Sequence, residues 1–148
     1  MREHKYRAWD KDKERMVWID DIMCCLLDRT FDALILVDKE IKDKDGMWEV
    51  EPKSVDDVIL LQYTGLKDKN GKEIYEGDIV RNEYEKNVAV IKFGEGYQGE
   101  PADGMYPYWG WYTDGWYERY AFDGDDIVVI GNIYENPELI PSDTTLPD

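Results

Sequence analysis

The stretch YTGLKDKNGKEIYEGDIV, residues Tyr63–Val80, decides the fold of this 148-residue chain. Within it, Asn70-Gly71 lies between two short apolar segments, and both residues tolerate the positive φ angles of a type I′ hairpin turn. Gly77-Asp78 then interrupts the pattern ahead of Ile79, as a β-bulge or the corner of a barrel would. The stretch therefore predicts two antiparallel strands joined at Asn70-Gly71, followed by a bend and a third strand.

Strand patterns continue on the C-terminal side of this stretch. Asn87–Phe93 (NVAVIKF) alternates apolar and polar residues, as a half-buried strand does. Gly94–Pro107 is rich in glycine and proline and is predicted to be a surface loop. The next segment, Trp109–Phe122, is predicted to be an aromatic hairpin with Asp114-Gly115 as its two-residue turn. Ile127–Tyr134 is predicted to be the last strand.

The N-terminal residues predict a smaller unit of mixed structure. Tyr6–Asp10 and Met16–Asp20 alternate and are joined by a polar stretch, which favours a hairpin. Ile22–Leu27 fits either a short helix capped by the preceding aspartates or a buried strand, because a run this short does not decide between them. Ala33–Val37 and Met47–Val50 are predicted to be strands.

The predicted fold class is α+β and mostly β, in two subdomains. Residues 1–62 are expected to form a small N-terminal α+β unit, and residues 63–141 a twisted, SH3-like β-barrel sheet. Residues 142–148 are polar and are predicted to be a flexible tail. The basis of this prediction is the number of short strands separated by turns at short intervals.

Three segments together resemble the YopX family of small phage and prophage proteins. They are the central stretch at Tyr63–Val80, the opening KYRAWD at Lys5–Asp10 and the closing VIGNIYENPEL at Val129–Leu139. The resemblance implies a phage or prophage origin, a mixed α/β first part and a β-barrel second part. It implies no activity, since the family has no established chemistry.

The residues of these motifs have structural explanations that need no active site. Gly71 suits a tight turn, and Gly131 suits a bend at a barrel corner. Backbone hydrogen bonds at the end of the last strand explain Asn132, Glu135 and Asn136. A signature of this kind preserves a scaffold, so function is expected to vary in the segments that match no motif, residues 21–52 and 94–122.

A formal net charge of −16 restricts the partners of the protein. Residues 99–148 contain eleven Asp or Glu and one basic residue, Arg119. Such a surface repels phosphate groups, so direct binding of DNA or RNA is disfavoured. The acidity serves solubility, or it indicates a basic protein partner or mimicry of the charge of DNA.

The sequence predicts neither a membrane protein nor a secreted one. Its apolar runs are far shorter than the roughly 20 residues of a membrane span. The N-terminus lacks the apolar region of a secretory signal, so we expect a cytoplasmic protein in the host cell. The adjacent Cys24 and Cys25 fit small buried hydrophobic residues.

Catalytic, metal and cofactor motifs are weak throughout the chain. The single histidine, His4, lies in a charged terminal stretch and is a poor candidate for a general base. GEGYQG at Gly94–Gly99 has the letters of a dinucleotide motif, but no helix is predicted after it and Glu95 would repel a pyrophosphate. DGDD at Asp123–Asp126 lacks the spacing of a calcium loop and is predicted to be a turn. We therefore expect no catalytic residue, no metal and no cofactor.

The aromatic hairpin provides the candidate site. With its turn at Asp114-Gly115, side-chain alternation places two sets of residues on opposite faces. One face carries Trp109, Trp111, Trp116 and Tyr120, and the other carries Tyr112, Tyr117 and Arg119. Two aromatic faces cannot both be solvated at low cost, so one is expected to pack on the barrel while the other meets a protein partner or a second subunit. The alternative is that both faces are covered within the molecule.

These features together predict a non-enzymatic phage accessory protein that acts as a small protein–protein interaction module. Two alternatives stay open, an acidic DNA mimic that inhibits a host factor and a carbohydrate-binding or hydrolytic protein that uses the aromatic hairpin. A cleft that unites several tryptophans with two close carboxylates would favour the hydrolytic protein. An acidic stripe spaced like phosphates would favour the mimic.

Overall fold

The computed structural model describes residues 5–18, 33–42, 48–54, 57–98, 106–116, 118–120 and 124–142, with the single positions 104, 122 and 144. Strands make up most of these residues, and a short 3₁₀ helix lies at Pro137–Leu139. The chain divides into two compact units, His4–Gln62 and a second unit built on Tyr63–Asp148. The fold is therefore mostly β, with almost no helix in the described residues.

In the first unit, β1 (Tyr6–Asp10) and β2 (Arg15–Trp18) form the expected hairpin. Strands β3 (Ala33–Lys42) and β4 (Trp48–Ser54) form a separate antiparallel pair. The first half of β5 (Val58–Lys67) pairs antiparallel with β1. The described residues of this unit are strands and turns, so its expected α+β character is not confirmed. The segment predicted as a short helix or buried strand lies outside the described residues.

Asp10 fixes the loop of this first hairpin. Its Oδ1 accepts hydrogen bonds from the backbone N–H groups of Asp12 and Lys13, at 3.1 and 3.2 Å. Glu14 then takes a left-handed conformation with φ 49°. Because an aspartate side chain can replace a backbone acceptor in this way, the polar loop turns back without a glycine.

The second unit contains the rest of β5 and six further strands. These strands are β6 (Glu73–Tyr75), β7 (Asp78–Asn82), β8 (Val88–Gln98), β9 (Tyr106–Trp116), β10 (Glu118–Tyr120) and β11 (Ile127–Asn132). β6 pairs with β5, while the other five form a sheet in the order β10-β9-β8-β7-β11. β10 also pairs in parallel with β8, through Tyr120 and Tyr97. This end of the sheet therefore closes on itself, and the unit is a half-barrel.

Apolar side chains from five strands form the core of this half-barrel. The buried set is Ile74, Val80, Ala89, Ile91, Trp111, Ile127 and Val129. Burial of one such aliphatic side chain contributes about 2 kcal/mol to the free energy of unfolding. The first unit has its own smaller cluster of Ala8, Val17 and Val58.

The central stretch folds as a hairpin, but its turn is not the predicted type I′. The N–H of Gly71 donates to the carbonyl of Asp68 at 2.9 Å, and Gly71 has φ 82°. Asn70 does not have a positive φ, so the turn is type I followed by a left-handed glycine. The cause is the Asp68 carboxylate, whose Oδ1 accepts from the N–H groups of Asn70 and Lys72, both at 2.9 Å.

Asp68 also connects this turn to the last strand of the sheet. Its Oδ2 accepts from the N–H of Val129 at 3.0 Å, across 61 positions of sequence. Next to it, the N–H of Lys69 donates to the carbonyl of Ile127 at 3.0 Å. The turn thereby pairs with backbone groups on the edge of β11. Without such pairing, an edge strand presents free N–H and C=O groups to which another chain can pair.

Other motif residues likewise bond to the backbone. Oδ2 of Asp78 accepts from the N–H of Tyr75 at 2.8 Å, which stabilises the turn between β6 and β7. Oδ1 of Asn132 accepts from the N–H groups two and three residues later, at 3.1 and 2.9 Å. Gly131 leaves room for Asn136, since a Cβ there would lie 2.5 Å from its side-chain oxygen. The predicted backbone hydrogen bonds are confirmed for Asn132 and for Asn136, whose Oδ1 accepts from the N–H of Asn132 at 3.3 Å, whereas the carboxylate of Glu135 accepts from the side-chain amide of Asn132 at 2.7 Å.

The predicted surface loop after Phe93 was wrong in its first part. Residues Gly94–Gln98 continue β8 and pair residue by residue with Tyr106–Gly110 of β9. β8 and β9 together form a long ribbon that extends beyond β7, whose pairing with β8 stops at Val90, and β10 pairs with this ribbon at Thr113, Trp116 and Tyr97. The prediction was also wrong at its other end, where Tyr106 and Pro107 belong to β9, and of the residues between them and Gln98 only Gly104 is described.

The predicted turn at Asp114-Gly115 was also wrong, because β9 continues through it. Asp114 pairs with Val90 of β8, and its carboxylate lies 2.6 Å from Nζ of Lys92. These contacts with β8 outweigh the local preference of an Asp-Gly pair for a turn. The aromatic hairpin does form, but its strands pair Tyr120 with Thr113 rather than with Trp109.

Candidate functional site

The register of the β8–β9 ribbon decides which side chains share a face. Directly opposed residues lie on the same side of a sheet, and alternate residues along a strand do so as well. The register pairs Phe93 with Trp111, Glu95 with Trp109, and Tyr97 with Pro107. We call the surface formed by Phe93, Glu95, Tyr97, Trp109 and Trp111 the aromatic face.

The aromatic face runs from the core into solvent. Ile91 and Thr113, the pair that precedes it along the ribbon, are fully buried, and Trp111 is 7% exposed. Further out, Phe93 is 50% exposed and Trp109 is 71% exposed. The buried tryptophan therefore anchors a surface whose outer rings contact water.

Edge-to-face contacts connect the rings of Phe93, Trp109 and Trp111 on the aromatic face. The rings of Phe93 and Trp111 meet edge to face, with centroids 4.9 Å apart and planes at 66°. The rings of Phe93 and Trp109 lie at 90° with centroids 6.3 Å apart. Such pairs add about 0.5–1.5 kcal/mol to the burial of their area, so Phe93 holds Trp109 in a defined position before any partner binds.

Glycines and tyrosines occupy the opposite face of the ribbon, which pairs Gly94 with Gly110. The ring of Tyr108 lies over Gly110, where any Cβ would overlap it. The ring of Tyr112 lies against Gly94, with its Cε1 3.7 Å from the position that a Cβ would take. Tyrosine rings thus cover the glycine backbone on this side, which stiffens the ribbon that carries the aromatic face.

Charge is also distributed unequally between the two faces. Lys92 lies opposite Tyr112, on the glycine side, where its Nζ is 2.6 Å from Oδ2 of Asp114. Glu95 lies on the aromatic face and is exposed, and among the described residues its carboxylate has no ion pair. The outer part of the ribbon and its connection, residues 93–115, contains Glu95, Glu100, Asp103 and Asp114 but no Lys or Arg, and Asp114 is paired with Lys92, the residue before this stretch. Among the described residues, the aromatic face is therefore an apolar surface with one carboxylate, Glu95, that has no ion pair.

The structure brings together some of the sequence-predicted site residues. Trp109 and Trp111 share one face and Tyr112 lies on the other, as alternation predicts. Trp111 and Tyr112 are buried, so they hold the ribbon in place and are not themselves available to a partner. The side chains of Trp116, Tyr117, Arg119 and Tyr120 lie outside the described residues.

Sequence reasoning missed Phe93 and Tyr97 as members of the site. The available signal was the alternation of β8, which continues beyond Phe93 through Glu95 to Tyr97. The glycines between these residues suggested a loop instead. In the structure the same glycines make space for tyrosine rings on the opposite face.

The described residues restrict the chemistry of the molecule. Within them, no group of three or more His, Cys, Asp or Glu side chains is arranged to hold a metal ion. In the same part of the chain, no helix has the length and apolarity needed to cross a bilayer. Gly94–Gln98 of the GEGYQG segment are strand, and the strand–turn–helix context of a dinucleotide site is not formed there.

Comparison with known proteins identifies relatives but no activity. A sequence model described as YopX protein matches residues 5–141. Among solved structures, the chain is similar to the crystal structure of protein EF1440 from Enterococcus faecalis, with a TM-score of 0.59 and 27% sequence identity. That similarity covers 95% of this chain and 99% of the other. No curated protein matches the chain.

Proposed function

The chain belongs to the YopX family, and from this premise we propose that it is a non-enzymatic phage or prophage accessory protein that acts as a protein–protein interaction module. The module works in the cytoplasm of the host cell. Its binding surface is the aromatic face of the β8–β9 ribbon. A small β scaffold alone does not define a function, so the proposal depends on this surface and not on the fold.

The exposure of Trp109 beside Phe93 is the observation that carries the proposal. Trp109 is 71% exposed, and its neighbour in the ring cluster is half exposed. Exposed aromatic clusters of this kind mark interaction sites, because tryptophan and tyrosine bury large areas with few rotatable bonds. Since the buried Trp111 and the glycine–tyrosine face hold the ribbon in place, little ordering is needed on binding.

The family motifs support a scaffold in place of an active site. The carboxylates of Asp68 and Asp78 and the amide of Asn132 each bond to backbone N–H groups of turns. These hydrogen bonds give the motif residues a structural role that needs no active site. We propose that the barrel-like second unit, which we describe as SH3-like, presents a surface and performs no reaction.

The two alternative functions have less support. Glycoside hydrolysis needs a pair of carboxylates about 5–9 Å apart, and the described aromatic face contributes Glu95 and no second carboxylate. A DNA mimic presents regularly spaced negative charge, whereas the outer part of this face is formed mostly by aromatic rings. The DNA mimic does not use Trp109 and Phe93, whereas the carbohydrate-binding alternative uses the same exposed rings and differs in predicting a bound sugar in place of a captured protein.

A capture experiment with matched variants tests the proposal. The immobilised protein, its Phe93→Ala/Trp109→Ala variant and a Tyr84→Ala control are exposed to host lysate, and captured proteins are identified by mass spectrometry. Tyr84 is 77% exposed on the turn between β7 and β8, so it controls for the loss of an exposed aromatic ring. We expect a protein that the wild type and the control capture and that the double variant does not.

Thermal unfolding of the same three proteins excludes a trivial explanation. The double variant should remain folded and lose about 1 kcal/mol, since one side chain is half exposed and the other mostly so. Capture of the same proteins by all three would show that the aromatic face does not bind. An unfolded double variant would show that these residues are core.

A further inference from the structure

Glu95 lies inside a frame of aromatic side chains. It is directly opposite Trp109, and on its own strand it lies between Phe93 and Tyr97, which share its face. Its carboxylate is exposed, and among the described residues it has no cationic partner. The nearest lysine in sequence, Lys92, projects to the other side of the ribbon and is held there by Asp114 at 2.6 Å.

An uncompensated carboxylate restricts what can cover this face. A neutral apolar partner would remove Glu95 from water without a hydrogen bond or counter-charge, which is unfavourable. A second copy of the chain packed face to face would bring one Glu95 carboxylate towards the other, and the described residues of the aromatic face include no Lys or Arg to separate them. Nucleic acid is disfavoured by the same repulsion. A cationic partner removes the conflict.

The surrounding rings also favour a cation. An ammonium or guanidinium group within about 6 Å of a ring centroid is attracted to the face of tryptophan, tyrosine or phenylalanine. The guanidinium group is planar, so it can stack on a ring while it donates two hydrogen bonds to a carboxylate. Trp109 with Glu95 offers both partners at one place, which favours arginine over lysine.

We propose that the aromatic face binds a basic protein segment, with an arginine side chain stacked on Trp109 and paired with the carboxylate of Glu95. This inference rests on the proposed function, because it names the chemistry of the partner for the same surface. The remaining rings, Phe93 and Tyr97, contact the apolar residues that flank the arginine. The segment belongs to another protein and not to a second copy of this chain.

A selection that does not assume the partner tests this inference. Random twelve-residue peptides displayed on phage are selected on the wild-type protein and counter-selected on the Phe93→Ala/Trp109→Ala variant. Both proteins have the same charge, so peptides held only by general acidity are removed. We expect the surviving peptides to share an arginine flanked by apolar residues.

The affinity of a selected peptide is then measured with single-atom changes on each side. Replacing its arginine by citrulline keeps the shape and removes the charge, and should weaken binding about tenfold or more. Glu95→Gln should weaken the arginine peptide about five- to tenfold while leaving the citrulline peptide unaffected. Glu138→Gln, which removes one exposed carboxylate from the 3₁₀ helix, is the matched control and should change neither affinity.

The outcomes separate this inference from the proposed function. Surviving peptides without a basic residue, or an affinity that does not change in Glu95→Gln, would overturn the cationic partner while leaving the interaction module intact. If no peptide discriminates between the wild type and the counter-selected variant, the binding surface itself is wrong and both proposals fail. Light scattering that shows a dimer lost in Trp109→Ala would assign the face to a second copy and overturn the basic partner.

Discussion

The hairpin at Tyr63–Val80 and the β8–β9 ribbon use their side chains in opposite ways. In the hairpin, polar side chains such as Asp68 and Asp78 turn inward and bond to backbone N–H groups. In the ribbon, Trp109 and Phe93 turn outward and are exposed, although each is large and apolar. The first region buries polar groups, whereas the second exposes apolar rings to water. The comparison teaches that one region maintains the fold, whereas the other leaves apolar rings in water, and these rings form the surface to which we assign binding.

The largest expected effect lies in the hairpin, at Asp68. Asp68→Ala removes the acceptor of three N–H groups, those of Asn70, Lys72 and Val129. With the side chain 6% exposed, we expect a loss of about 3 kcal/mol in the free energy of unfolding, measured by urea denaturation. Glu138→Ala, on an exposed residue, should change it by less than about 0.5 kcal/mol. A loss below about 1 kcal/mol in Asp68→Ala would contradict the conclusion that this motif residue stabilises the fold.

Gly71 gives the next largest effect and isolates the backbone. Its φ is 82° and nothing lies within 4 Å of the position that a Cβ would take, so any penalty comes from conformation alone. Gly71→Val should destabilise the protein by about 1–2 kcal/mol, because a β-branched residue is strained at positive φ. Gly71→Asn should cost clearly less, since asparagine tolerates this conformation. Equal melting temperatures for the two variants would contradict the turn described above.

The next prediction concerns whether the ion pair of Lys92 and Asp114 helps β9 to continue through Asp114-Gly115. In a double-mutant cycle with Lys92→Gln and Asp114→Asn, the mostly buried pair should show a coupling of about 1 kcal/mol. The exposed pair of Lys86 and Glu83, at 3.8 Å, is the matched control and should show a coupling near zero. Equal couplings would mean that this pair does not help β9 to continue through Asp114-Gly115.

The smallest effect is expected at Glu83, on the turn that joins β7 to β8. A hydrogen bond from Arg81 holds the pKa of the Glu83 carboxyl below its ordinary value of 4.5. Since the folded state binds the proton less tightly than the unfolded chain, this group stabilises the fold above pH 4.5. That contribution disappears as the pH falls through the lowered pKa. Urea midpoints should therefore place Glu83→Gln slightly below the wild type at neutral pH and equal to it in strong acid, and a difference that grows in acid would contradict the assignment.

The comparison also shows what the sequence could predict. The central hairpin and the final strand were predicted correctly because local turn residues and alternation determine them, and the family was predicted correctly from the resemblance of three segments to its motifs. The type of turn was not, since the sequence argument considered Asn70-Gly71 alone and not the Asp68 carboxylate, which accepts from the N–H groups of Asn70 and Lys72. In the ribbon, Gly94 and Asp114-Gly115 indicated loops, and long-range pairing between β8 and β9 overrode them. Trp109 was predicted as a site residue from its type, but Phe93 and Glu95 join it only through this register.

The central claim is that Trp109 is exposed in order to meet a partner. The direct test is fluorine NMR of the protein labelled with 5-fluorotryptophan. The six tryptophans of the chain should give separate signals, and the signal of Trp109 is assigned as the one that is lost in Trp109→Phe. The signal is followed before and after addition of the partner captured from host lysate or of a selected arginine peptide. We predict that the Trp109 signal shifts and loses its sensitivity to solvent, while buried Trp111 changes little. A Trp109 signal that stays sharp and solvent-sensitive in the presence of a bound partner would contradict the claim.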